Sequence, residues 1–158
     1  MITKIVPYHA HDHDKLVDIW HRAVVQTHSF LTEADIAFYY EMVRNGALQE
    51  VEIWVELNED QEPVGFIGID GSKIEMLFVD PNYHGRGVGR RLIKQVETLK
   101  GGNIRVDVNE QNTGACGFYE RLGFVQIGRS ELDSSGRPFP LLHLELKKSG
   151  NTDIGKRA

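Results

Sequence analysis

Apolar residues fall along this chain at two spacings. Val51, Ile53, Val55 and Leu57 alternate with Glu52, Trp54 and Glu56. Ile104, Val106 and Val108 alternate with Arg105 and Asp107, and Leu142, Leu144 and Leu146 repeat the same step. A step of two puts one set of side chains on one face of a half-buried strand. Elsewhere the step is three or four. Leu16, Ile19, Trp20, Ala23 and Val24 form one such stripe, and Ile36, Tyr39, Tyr40 and Val43 a second. Val88, Leu92, Val96 and Leu99 form a third, and Ala115, Phe118, Tyr119 and Leu122 a fourth. Each predicts a helix with one buried face. Shorter apolar runs at 2–7, 64–69, 76–79 and 124–128 supply the remaining strands, the second weakened by Gly65 and Gly68.

Punctuation agrees with this division. Thr32 with Asp35 three residues on is a short-armed capping box, and Leu31 stands where it can staple against Ile36. Asn45-Gly46, Gly101-Gly102 and Gly123 stop helices, and Asp70-Gly71 joins two strands as a hairpin. The order is strand, two helices, three antiparallel strands, helix, strand, helix, two strands. It predicts a mixed α/β fold: a mostly antiparallel sheet of six to seven strands with helices on both faces. Residues 1–147 are expected to form one domain, and 148–158 a loose polar tail.

Composition narrows the function. The chain has 158 residues, 41% hydrophobic and 26% charged, as a globular domain should. A formal charge of −5 disfavours a nucleic-acid partner. The start shows no signal-peptide pattern, and no apolar run approaches membrane-spanning length. One cysteine, Cys116, excludes an internal disulfide and a cysteine zinc cage. These features fit a cytoplasmic protein. His9, His11 and His13 alternate with two aspartates nearby, a pattern that reads better as a polar helix start near Asp12 or Asp14 than as a metal site.

Chemistry concentrates at 74–99, where a strand ends at Asp80-Pro81, a glycine-rich turn follows and a helix begins. Amides at a helix start lack partners and face the positive end of the macrodipole. Gly85, Gly87 and Gly89 let a bulky anion approach that backbone, so the stretch reads as a phosphate loop. Arg90-Arg91 follows Gly89 where a nucleotide triphosphate loop needs Lys-Ser/Thr, and the glycine spacing differs from the dinucleotide fingerprint. The remaining pattern resembles the GNAT superfamily of acetyl-coenzyme A-dependent N-acetyltransferases, whose signature is Gln/Arg-x-x-Gly-x-Gly/Ala. Gly87 and Gly89 match it, and His84 stands at the Gln/Arg position. Asn112, Ala115, Phe118, Tyr119, Gly123 and Phe124 are similar to the superfamily's second signature at every defined position. The element order resembles the GNAT fold through about Lys147.

That resemblance implies roles. Backbone at Leu77, Phe78 and Val79 would hold the pantetheine arm, with the Val79 N–H aimed at the thioester carbonyl. His84, Gly85, Arg86, Gly87, Val88, Gly89 and Arg90 would take the diphosphate. Asn112 would also bind the cofactor, and Tyr119 would protonate the leaving sulfur. Glu75, His28 or water would serve as general base. The stretches 27–31, 128–133 and 138–142 are similar to a small bacterial subgroup, the YjaB-type acetyltransferases, and make His28, Phe30 and Phe139 candidates for the acceptor side. The implied cosubstrate is acetyl-CoA, without a metal, and the implied partner an amine on a small molecule or a protein lysine. An acyl-CoA sensor without turnover is the rival from another class, and a homodimer is favoured by base rate alone.

Overall fold

The computed structural model describes residues 4–147, so the 148–158 tail lies outside the described residues. The strands are β1 (Lys4–Pro7), β2 (Glu52–Leu57), β3 (Pro63–Asp70), β4 (Lys73–Val79), β5 (Ile104–Asn109), β6 (Val125–Ser130) and β7 (Leu141–Leu146). The α-helices are α1 (His13–Thr27), α2 (Glu33–Arg44), α3 (Val88–Lys100) and α4 (Thr113–Arg121). This is the mixed α/β, seven-stranded fold with the expected element order. Contacts gather into two compact units. Among the described residues, one takes 4–70 together with Ile74–Gln95; the other takes Gly71–Lys73 and 96–147.

In the first unit β1, β2, β3 and β4 are neighbours in that order, with β1–β2 and β2–β3 antiparallel. Leu16, Ile19, Trp20 and Val24 of α1 and Val43 of α2 join Ile53, Val55, Leu57 and Phe66 in one buried cluster. Met76 and Phe78 of β4 pack against it. The opposite face of β3 carries α3. A Cβ on Gly65 would lie 2.7 Å from Val88 Cγ1 and 3.2 Å from the Phe78 carbonyl oxygen. Helices therefore cover both faces of β3, which is why residues 63–69 are all buried and show no polar alternation. The glycines that weaken this strand as a sequence signal are what let the helix settle on it.

The capping box forms as expected. Asp35 N–H donates to Thr32 Oγ1 at 3.1 Å, and Thr32 N–H donates to Asp35 Oδ2 at 3.0 Å. Asp12 stands at the N-cap of α1 but makes no side-chain cap bond. In the second unit β5, β7 and β6 are neighbours in that order, both pairs antiparallel, and β6 runs two residues later than expected, to Ser130. Ile104, Val106 and Val108 are buried, whereas Leu99, expected on the buried stripe of α3, is exposed.

Candidate active site

The loop before α3 belongs to the first unit and is fixed at its start by Asp80. That carboxylate accepts the Asn82 N–H at 2.9 Å and two bonds from the Arg22 guanidinium of α1, at 2.9 and 3.1 Å. Arg22 holds the Asp80 carboxyl below the usual carboxylate range. Pro81–Tyr83 makes one tight helical turn and His84 is extended and exposed. Gly85 and Gly87 then take φ of +77° and +83°, a conformation that other residues resist. Val88 is buried and anchors the helix start. Gly89 lies inside α3, so the turn uses two of the three glycines, and the third is the second residue of the helix.

Arg91 N–H donates to the Gly87 carbonyl at 3.0 Å, and helix geometry leaves the amides of Val88, Gly89 and Arg90 without intrahelical partners. Arg86 and Arg90 are exposed, with the Arg86 guanidinium 4.9 Å from the centre of the Tyr83 ring. Arg91 is half-exposed but paired. Its Nε and Nη2 donate to the two carboxylate oxygens of Glu56 at 3.0 and 2.7 Å, and its Nη1 donates to the Arg86 carbonyl at 2.9 Å. Glu56 is correspondingly buried, although the strand alternation suggests a solvent face.

On β4 the Phe78 side chain belongs to the core, 6.3 Å from the Trp20 ring and 5.9 Å from Phe66. Leu77 and Val79 are half-buried, and strand alternation turns them away from Met76 and Phe78. Glu75 is exposed and shares the Leu77 face. His28 ends α1, its ring centroid 5.3 Å from that of Phe30. Thr27 Oγ1 donates its proton to the Ala23 carbonyl, so it receives the 2.8 Å bond from His28 Nδ1–H. The ring's lone pair is therefore on Nε2. Burial lowers the His28 pKa, so this imidazole is neutral at pH 7.

The second unit carries the other signature. Asn112 caps α4, its Oδ1 accepting the Ala115 N–H at 3.1 Å. Tyr119 is 5% exposed, with its ring centroid 5.2 Å from those of Phe118 and Phe124. Burial pushes its pKa up, and among the described residues its hydroxyl has no hydrogen-bond partner. An orphaned phenol in an apolar setting fits a site completed by an external acceptor atom. Burial also pushes up the Cys116 thiol, which suits a packing role and not a nucleophile. Phe139 is half-buried just before β7, its N–H on the Arg137 carbonyl at 2.8 Å.

Sequence reasoning missed one network here. His143 Nδ1–H donates to Asp107 at 2.6 Å, His143 Nε2 and Ser130 Oγ share a 2.7 Å hydrogen bond, and Lys73 sits 2.9 Å from the other Asp107 oxygen. Cross-strand pairing of Asp107 with His143 is the cause, and it depends on a register that strand periodicity alone does not specify. Among the described residues no group of three or more His, Cys, Asp or Glu could hold a metal ion. His13 uses both ring nitrogens, on the Tyr8 hydroxyl and the Arg44 carbonyl. No helix of the described residues is long and apolar enough to cross a membrane.

Comparison with known proteins bears on the whole arrangement. A model of the acetyltransferase (GNAT) domain matches residues 27–143. The peptidyl-lysine N-acetyltransferase YjaB of Salmonella typhimurium strain LT2 is 44% identical over 131 residues, 83% of this chain and 89% of that protein. YjaB of Escherichia coli K12 is 42% identical over 131 residues, 83% of this chain and 88% of its own. The solution structure of apo-form YjaB from Escherichia coli superposes with a TM-score of 0.85 at 39% identity, covering 92% of this chain and 97% of that one.

Proposed function

Because the chain belongs to the GNAT family and is an acetyl-CoA-dependent N-acetyltransferase, we propose that its acceptor is a protein lysine, which attacks the thioester directly in a ternary complex. The observation that carries the choice of acceptor is the similarity to two peptidyl-lysine N-acetyltransferases over about nine-tenths of their length. A cytoplasmic location, where acetyl-CoA and protein lysines occur together, goes with this reading.

The residues divide the chemistry as follows. The left-handed turn at Gly85 and Gly87 and the amides opening α3 take the diphosphate, with His84, Arg86 and Arg90 around it. Backbone at Leu77, Phe78 and Val79 aligns the pantetheine arm, and the Val79 N–H receives charge as it builds on the carbonyl oxygen. Asn112 contributes to cofactor binding while capping α4. A lysine has an unperturbed pKa of about 10.4 and must lose a proton before it attacks. Glu75 takes that proton, directly or through water, and neutral His28 is the rival base. As the carbon–sulfur bond breaks, Tyr119 donates to the sulfur. Its raised pKa keeps the phenol protonated at neutral pH, so the donor is present in every turnover. His28, Phe30 and Phe139 are assigned to the acceptor side by their resemblance to the YjaB-type enzymes.

The test is an acceptor panel with acetyl-CoA: lysine peptides with a blocked N-terminus, peptides offering only an α-amine, and small amines, read by thiol release and by mass of the product. Acetylation of the lysine peptides at the highest kcat/KM is expected. Preference for a small amine moves the acceptor class. Cofactor binding without thiol release for any amine makes the protein a sensor.

A further inference from the structure

The phosphate loop owes its shape to a contact outside the loop. Glu56 of β2 faces α3, beside its β3 partner Gly65, and is 0% exposed. A carboxylate there is tolerated only if paired and fully hydrogen-bonded. Arg91 supplies the fork, one nitrogen to each oxygen. With Nε and Nη2 so held, the guanidinium plane is fixed and Nη1 reaches the Arg86 carbonyl at 2.9 Å. That carbonyl sits between the two left-handed glycines. A peptide plane that turns its carbonyl toward Arg91 turns its N–H, that of Gly87, the opposite way. A Cβ on Gly87 would meet Arg91 Nη1 at 2.9 Å and push the guanidinium from this position.

We propose that the Glu56–Arg91 pair is a positioning device for diphosphate recognition: Arg91 holds the Arg86–Gly87 peptide in the orientation that presents its amide to the cofactor. This rests on the assignment of the loop to the diphosphate of coenzyme A. The role belongs to the fork and not to positive charge alone, because lysine keeps the charge and loses the planar array of donors.

The measurement is steady-state kinetics with two donors, acetyl-CoA and S-acetylpantetheine, which lacks the diphosphate. For Arg91→Lys, KM for acetyl-CoA is expected to rise about tenfold, the effect of one charge-assisted contact. Turnover, and KM for S-acetylpantetheine, stay at wild-type values. Glu56→Leu combined with Arg91→Met removes both charges together, which protects the fold, and is expected to show the same split. Wild-type KM for acetyl-CoA in both variants overturns the proposal, as does an equal rise for both donors. If the wild-type enzyme itself handled both donors alike, the loop assignment would fall before the brace was tested.

Discussion

Tyr119 is a packed aromatic residue whose proposed role as the acid can be tested apart from its packing. Its ring is held between Phe118 and Phe124 and its hydroxyl has no partner among the described residues. Replacing it by phenylalanine keeps the packing and removes only the donor. Turnover is expected to drop by roughly 10² to 10⁴ with KM for acetyl-CoA nearly intact; an unchanged rate would end its assignment as the acid. Asp80 makes a prediction about stability. Its pKa in the folded state is depressed by Arg22, so the pair contributes stability above the unfolded carboxylate value of about 3.9. That contribution is lost as pH falls through the folded value. Asp80→Asn should therefore destabilise the protein at pH 7 and narrow its gap to wild type in acid, as followed by urea midpoints at several pH values.

Elements were legible in the sequence where one periodicity met one clear stop signal. The α2 cap is an example, and Thr32→Ala is expected to cost about 1 kcal/mol in a denaturant titration. β3 was harder to read because helices cover both its faces. Gly65→Ala should test that close approach: the added methyl meets Val88 and the Phe78 carbonyl, and a loss of about 1–3 kcal/mol is expected. The two positive-φ glycines before α3 were visible as residues. The Glu56–Arg91 contact was not, since Glu56 lies thirty-five positions before Arg91 and sits in what reads as the solvent-facing half of an alternating strand. The Asp107–His143–Ser130 chain escaped for the same reason: it needs the order of β5, β7 and β6, which no local pattern contains. Within the loop, Gly87→Glu should abolish acetyl-CoA binding in a calorimetric titration through bulk and like charge.

At the scale of the molecule, a net charge of −5 favours encounter with basic partners. If lysine-rich protein segments are the acceptors, kcat/KM for them should fall as ionic strength rises from about 0.05 to 0.5 M, more than it does for a neutral small amine. An equal response of both would remove long-range attraction from the account of acceptor choice.

The one-sided burial of the Glu56–Arg91 contact also limits how this chain can diverge. Changing Arg91 alone strands the Glu56 carboxylate in the interior, so single-step neighbours at Arg91 should be sparse in a saturation library selected for folding. Tolerated replacements there should arrive with an apolar residue at 56.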